Sequence, residues 1–318
     1  MPFQSGGGVV SLDCINIAVG HAHFHKLLDS GDGYRLERFG AVTTARPDPN
    51  ALWDRRLPRE DWERAHAWFH TERRFGTSHW ERRTELPKPW LVSHGALTLE
   101  LELTPFKHTG VFPEQEANWR WLQQRLGAWQ AARPDQRPRV LNLFAYTGAA
   151  SLACAAAGAE VCHLDASKDV VAWARRNQGH SGLGEAPLRW ITDDAGDFLR
   201  RELKRGRRYE GILLDPPAFG RDAKGQVFRF ESHVSPLLAD CRALLSDEAD
   251  FLLVNAYSQG YSAGVLGGLL AGLLPERDIE LGELRLAEEP APGKHGAPGR
   301  LCRQLPCSIF ARWAAGAP

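Results

Sequence analysis

Several familiar signatures are missing from the 318 residues. Net charge is the first: 39 Lys and Arg meet 39 Asp and Glu, so the chain as a whole lacks the electrostatic footprint of a general nucleic-acid binder, and a polyanion would have to be met by a local patch. Cysteine is sparse and scattered. Cys14, Cys154, Cys162, Cys241, Cys302 and Cys307 show no CxxC spacing, which argues against a zinc site of the usual spacing and points to a reduced, cytoplasmic protein. There is no long hydrophobic run. Residues 9–19 are fairly apolar but contain Asp13 and Asn16, follow no basic region and fall short of the ~20 residues that span a bilayer, so neither a signal peptide nor a membrane segment is expected. No internal repeat and no G-x-G-x-x-G appear either.

What is present is an ordinary globular balance, 43% hydrophobic and 25% charged, enough to bury a sizeable core. At about 150 residues per domain the length suggests two domains. From Arg139 onward, short β-type runs alternate with helical stretches, the pattern of a parallel α/β sheet. Strands are expected at 139–144, 160–165, 188–192, 210–215 and 250–255, with helices at 148–157, 169–179, 232–245 and 263–274. Two further β-like runs, 279–286 and 304–313, flank a Pro/Gly-rich loop at 290–299 and read as a final hairpin added to the sheet. The earlier part differs. Turn signals at Asp29-Ser-Gly-Asp-Gly33 and Arg46-Pro-Asp-Pro49 and the alternation Leu97, Leu99, Leu101, Leu103 argue a small β-rich domain. Residues 118–130, with Trp119, Leu122, Leu126 and Trp129 on one side, read as an amphipathic linking helix. The expected division is 1–116, 117–136 and 137–318.

Chemistry concentrates at the predicted strand ends. Asn142-Leu-Phe-Ala-Tyr-Thr-Gly148 couples a strand, a tight turn and a helix N-terminus, a place where backbone approaches a nucleotide closely. Seventeen residues later Asp165 ends the second strand, where a carboxylate can accept both hydroxyls of a ribose. The fourth strand ends in Asp215-Pro-Pro-Ala-Phe219. Its prolines remove N–H donors and fix the backbone, leaving carbonyls free for a ligand, and Phe219 offers a flat apolar face. Ligands in open α/β sheets bind along that edge.

These motifs resemble the Rossmann-type S-adenosylmethionine-dependent methyltransferases, and more closely the branch that modifies bases of large-subunit ribosomal RNA. The resemblance rests on Leu143-Phe-Ala-Tyr-Thr-Gly148, His163-Leu-Asp-Ala-Ser167, Trp173-Ala-Arg-Arg-Asn177, Asp193-Asp-Ala195, Asp215-Pro-Pro-Ala-Phe219 and Lys107-His-Thr-Gly-Val-Phe-Pro-Glu-Gln115, and covers residues 95–318. It implies an α/β, doubly wound, seven-stranded Rossmann-like sheet with a smaller N-terminal β-rich domain. S-adenosylmethionine is the implied cofactor and RNA, ribosomal RNA first, the implied substrate, with no metal. By the same resemblance Phe144, Tyr146, Thr147 and Gly148 line the methionine and adenosine portion, Asp165 binds the ribose, Asp194 approaches the adenine amine and Ser167 supports the pocket. Lys107, Thr109 and Gln115 close it. Asp215, Pro216 and Phe219 act at the methyl acceptor.

Related cytosine-modifying enzymes place a reactive cysteine just after the fifth strand. Here that stretch is Val254-Asn-Ala-Tyr-Ser258, without cysteine, and Cys241 lies on the apolar side of a predicted helix. Methylation of a base nitrogen is therefore the better expectation, with Asn255 either contacting the base or capping its strand. A 5-methylcytosine-forming enzyme and a catalytically silent RNA- or protein-binding module stay open. A dehydrogenase would carry the absent glycine fingerprint. Residues 200–229 hold nine basic residues against Glu202, Glu210, Asp215 and Asp222, a surplus of five, readable as a phosphate-binding patch or as a solvated helix face. Phe228 and Phe230 are candidates to stack a base beside Phe219, or to be core.

Overall fold

The structure, a computed structural model, describes residues 14–19, 24–72, 77–221, 227–257, 260–274, 278–290 and 303–316. Asp222, Lys224, Ser258, Cys302 and the loop 291–299 lie outside the described residues.

The first part of the chain gives β1 (Cys14–Val19), β2 (His25–Gly31), β3 (Tyr34–Phe39), β4 (Val42–Pro47), α1 (Arg59–Glu63), β5 (Ala67–Glu72) and β6 (Thr77–Arg82), then the hairpin β7 (Trp90–His94) and β8 (Leu97–Leu101). Strands β2 to β6 form a five-stranded sheet in sequence order. Its first turn is the two-residue loop Asp32-Gly33, with φ of 51° and 75°, the left-handed pair that joins right-twisted strands tightly. Leu97, Leu99 and Leu101 are buried as their alternation requires.

A 3₁₀ turn (Pro113–Gln115) leads into α2 (Glu116–Ala132), where Trp119, Leu122, Leu126 and Trp129 are all buried. The α/β part follows: β9 (Arg139–Leu143), α3 (Ala149–Ala156), β10 (Glu160–Asp165), α4 (Lys168–His180), β11 (Leu188–Thr192), α5 (Ala195–Lys204) and β12 (Gly211–Leu214). A short ribbon of β13 (Phe219–Arg221) and β14 (Val227–Arg229) precedes α6 (Phe230–Leu244), β15 (Phe251–Tyr257), α7 (Ala263–Leu273), β16 (Ile279–Ala287) and β17 (Gln304–Ala314).

The large sheet runs β11-β10-β9-β12-β15-β17-β16-β1. Its first seven members are the doubly wound set expected, with β17 antiparallel to both neighbours and the five preceding strands parallel. The eighth, β1, comes from the far N-terminus and pairs in parallel with β16, Cys14 opposite Leu281. Strands β12 and β15 are near-continuous apolar runs because helices cover both faces, and Leu141, Leu143, Ile212, Leu214, Leu252 and Val254 join one core with Cys241 of α6. Among the described residues no helix is long and apolar enough to cross a membrane.

Candidate active site

Chain reversal after β9 is unusually tight. Phe144 and Tyr146 adopt φ of 55° and 50° and Gly148 of 90°, so two non-glycine residues sit in the sparsely populated left-handed region, a strain typical of functional turns. Two groups hold the turn. The Asp165 carboxylate accepts the N–H of Tyr146 at 3.0 Å and that of Ser167 at 2.9 Å. Asn177 of α4, fully buried, donates to the Thr147 carbonyl at 2.9 Å and accepts the Glu100 N–H at 2.7 Å. The Asn177 clamp thereby ties the β7–β8 hairpin to the turn. Gly110 completes the joint: a β-carbon there would lie 2.4 Å from the Trp173 ring, and its carbonyl accepts from the Thr147 hydroxyl at 2.5 Å.

At the next strand over, Pro216 and Pro217 end β12 because neither can donate to the ladder. Asp215 points into the site, its Oδ1 accepting from Asn255 Nδ2 at 2.9 Å, while Asn255 Oδ1 accepts from the Ser308 hydroxyl at 3.2 Å. Burial among protein atoms pushes the Asp215 carboxyl up to about 7; Glu114 adds to the rise and the Asn255 bond opposes it. Asn255 therefore positions Asp215 rather than merely closing its strand.

A cavity of about 870 Å³ runs along these strand ends, in the upper range of small-molecule sites. One end is formed by Asp165, Ser167, Lys168, Asp193 and Asp194; Phe144, Tyr146 and Phe228 wall its middle beside Asp215 and Pro216; Glu114, Tyr257 and Cys307 with Arg35, Arg46 and Asp48 form the other end. Burial also raises the Asp165 carboxyl, against the bonds from Ser167 and Tyr146. Ser167 and Asp194 cap α4 and α5, accepting from Val170 N and Asp197 N.

The expected residues thus fall into three groups. Lys107, Phe144, Tyr146, Asp165, Ser167, Asp194, Asp215 and Pro216 line the main cavity. Gln115, Thr147 and Gly148 line a smaller adjoining one, which also touches Asp215 and Asn255. Thr109 is fully buried off both linings, and Phe219 stands 53% exposed on the ribbon at the cavity's rim. Of the two candidate stacking rings, Phe228 lines the cavity against Phe144 at 5.3 Å, whereas Phe230 is core. Half of the basic run at 200–208, on α5 and just after it, is neutralised locally, Arg200 by Asp197, Arg201 by Asp193 and Arg205 by Glu202.

Sequence reasoning missed the far end of the cavity. Arg35 sits in no motif and Asp48 only in a turn signal, and their position depends on the N-terminal sheet folding over the strand ends. Buried Glu37, held well below the usual carboxylate range by Arg35 and Arg46 despite its desolvation, anchors that wall. Glu114 lies one residue before the flagged Gln115. Cys307 reaches the cavity from β17, but it is no poised nucleophile: burial drives its thiol well above the ordinary value, and Sγ donates to the Leu305 carbonyl. Cys241 is fully buried, its thiol likewise raised by desolvation.

Comparison with known proteins agrees with this geometry. Residues 47–246 match the family model described as S-adenosylmethionine-dependent methyltransferase. A crystal structure of a SAM-dependent methyltransferase from Agrobacterium tumefaciens superposes with a TM-score of 0.86 at 36% identity, covering 99% of both chains. A methyltransferase structure from Streptococcus mutans shares the fold at 16% identity, with a TM-score of 0.66 over 92% of this chain and 75% of that one. In sequence, the ribosomal RNA large subunit methyltransferase K/L of Shewanella baltica is 30% identical over 188 residues, 58% of this chain. The chain spans about a quarter of the length of those curated relatives (24% of that protein). With more than half its length matched by the family model and a full-length structural relative above 30% identity, the chain belongs to the S-adenosylmethionine-dependent methyltransferases.

Proposed function

We propose that the chain methylates a nitrogen of an RNA base, ribosomal RNA first, with residues 137–318 carrying the cofactor and residues 1–116 closing the acceptor side. The observation that carries this reading is the junction at Asp215, where a carboxyl that titrates near neutrality sits between the two ends of one cavity. The similarity to a ribosomal RNA methyltransferase supports the choice of RNA.

The residues suit S-adenosylmethionine. Apolar walls from Phe144, Leu164 and Ala195 suit a flat base, and Asp165, with burial holding its carboxyl above the ordinary value, gains from hydroxyl donors such as a ribose diol. When bound, the cofactor supplies an electrophilic methyl group, so the protein's task is alignment and proton handling. Asp194 faces the adenine side and Ser167 supports it; Phe144, Tyr146, Thr147 and Gly148 follow the methionine and adenosine portion. Lys107, whose Nζ donates to the Pro47 carbonyl at 3.2 Å, braces the covering segment, and Gln115 closes it. Asp215 orients the base N–H and takes its proton, a role favoured by a carboxyl titrating close to the working pH. The Pro216 carbonyl offers a second acceptor, and Phe219 and Phe228 supply stacking faces.

Carbon-5 methylation of a pyrimidine needs a thiolate. Cys307 reaches the cavity, yet its raised, hydrogen-bonded thiol favours the nitrogen reading. Transfer of labelled methyl from S-adenosylmethionine to RNA from cells lacking the protein tests the proposal: label in RNA, released as an N-methylated nucleoside, is expected, and label in protein alone would refute it.

A further inference from the structure

The far end of the cavity contains a buried carboxyl group whose hydrogen bonds are unmade among the described residues. Glu114 sits in the 3₁₀ turn before α2, 1% exposed, and among the described residues neither carboxylate oxygen has a hydrogen-bond partner. Leaving a carboxylate buried and unsatisfied is expensive, so such groups in folded proteins normally have donors. Glu114 lines the cavity, which places the missing donors on whatever the cavity takes up.

Which ligand supplies them follows from the side chains around it. Glu114 interacts electrostatically with Asp215, Tyr257, Arg35, Cys307 and His25. These come from the ends of β12 and β15, from β17 and from the N-terminal sheet. None belongs to β10 or β11, whose ends carry Asp165 and Asp194. Asp215 stands between the two groups, so Glu114 belongs to the acceptor end.

We propose that Glu114 is a specificity-determining residue for the methyl acceptor, its carboxylate accepting N–H donors from the edge of the incoming base. A flipped base is read by hydrogen bonds to that edge, and a site built around a buried acceptor strongly rejects analogues that lack the donor. The assignment rests on the reading of the acceptor as a base.

The test compares wild type with Glu114→Gln, a near-isosteric change that replaces one acceptor oxygen by a donor. Each protein, loaded with S-adenosylhomocysteine, is titrated with guanosine, uridine, adenosine and cytidine. Wild type is expected to bind at least one nucleoside, and the variant to bind it weaker by roughly tenfold or more, the loss for one charge-assisted bond left unmade. S-adenosylhomocysteine affinity should stay within about twofold, which also reports on folding. Equal nucleoside binding by both proteins, or none by wild type, overturns the proposal. So does a loss of S-adenosylhomocysteine affinity with 5′-methylthioadenosine affinity unchanged, because Glu114 would then serve the amino-acid end of the cofactor. Nucleoside binding needs no transfer to RNA, so failure to methylate RNA refutes the RNA reading without touching Glu114.

Discussion

Replacing Asp215 by Asn should make the protein more stable at alkaline pH while disabling it. The carboxyl titrates ordinarily at 3.8 and here at about 7. Between those values the folded chain holds a proton that the unfolded chain has released. Stability from this group is therefore present below about pH 4, falls as pH rises through the window, and levels off above about 7. A shift of about three units corresponds to a ceiling of about 4 kcal/mol; Asp215 is partly open to cavity water, so about 2 kcal/mol is the working figure. Asparagine does not titrate and keeps the oxygen that accepts from Asn255 Nδ2. Thermal unfolding of the ligand-free proteins should give similar midpoints at pH 4, and at pH 8 a variant melting on the order of 5 °C higher than wild type. The same variant should lose methyl transfer by roughly a hundredfold or more. Midpoints whose difference does not change with pH would refute the environment assigned to Asp215, and wild-type transfer rates would refute its role.

Asp165→Ala should weaken S-adenosylmethionine binding by about 1–3 kcal/mol in calorimetry, the cost of leaving a ribose diol without its charged acceptor; unaltered affinity would move the ribose elsewhere. Phe219→Ala should raise the KM for RNA by roughly tenfold, through loss of about 1–3 kcal/mol of stacking, and leave cofactor affinity alone; an unchanged KM would make the exposed ring incidental. RNA containing 5-fluorocytosine should form no stable adduct, because Cys307 and Cys241 both have raised thiols; an adduct mapped to either cysteine would restore carbon-5 chemistry.

The α/β half was legible because its signals are local. Each strand is a short apolar run closed by a turn, and Asp165, Asp194 and Asp215 all stand at or just beyond strand ends, where position along the chain already gives position at the site. Strand β1 falls in the apolar stretch 9–19, which reads as a short strand, but nothing local gives its place. It is six residues long and gains that place by pairing with β16, with Ile15 opposite Gly282. The far wall of the cavity was hidden for the same reason. Arg35 and Asp48 are ordinary charged residues of a β-meander until Glu37 and the folded sheet aim them at β17. Thr109 shows the converse: motif membership put it at the cofactor, while packing buries its side chain away from either cavity. Cys307 carries no local signal because it follows no strand end of the parallel set: its thiol enters the cavity from β17, the antiparallel neighbour of β15.

Mass spectrometry of nucleosides from the RNA of cells with and without the protein tests the central claim most directly. One N-methylated nucleoside should be missing without the protein, restored by the wild-type chain and not restored by Asp215→Asn. An unchanged set of methylated nucleosides, or loss of a carbon-methylated one, would contradict the account.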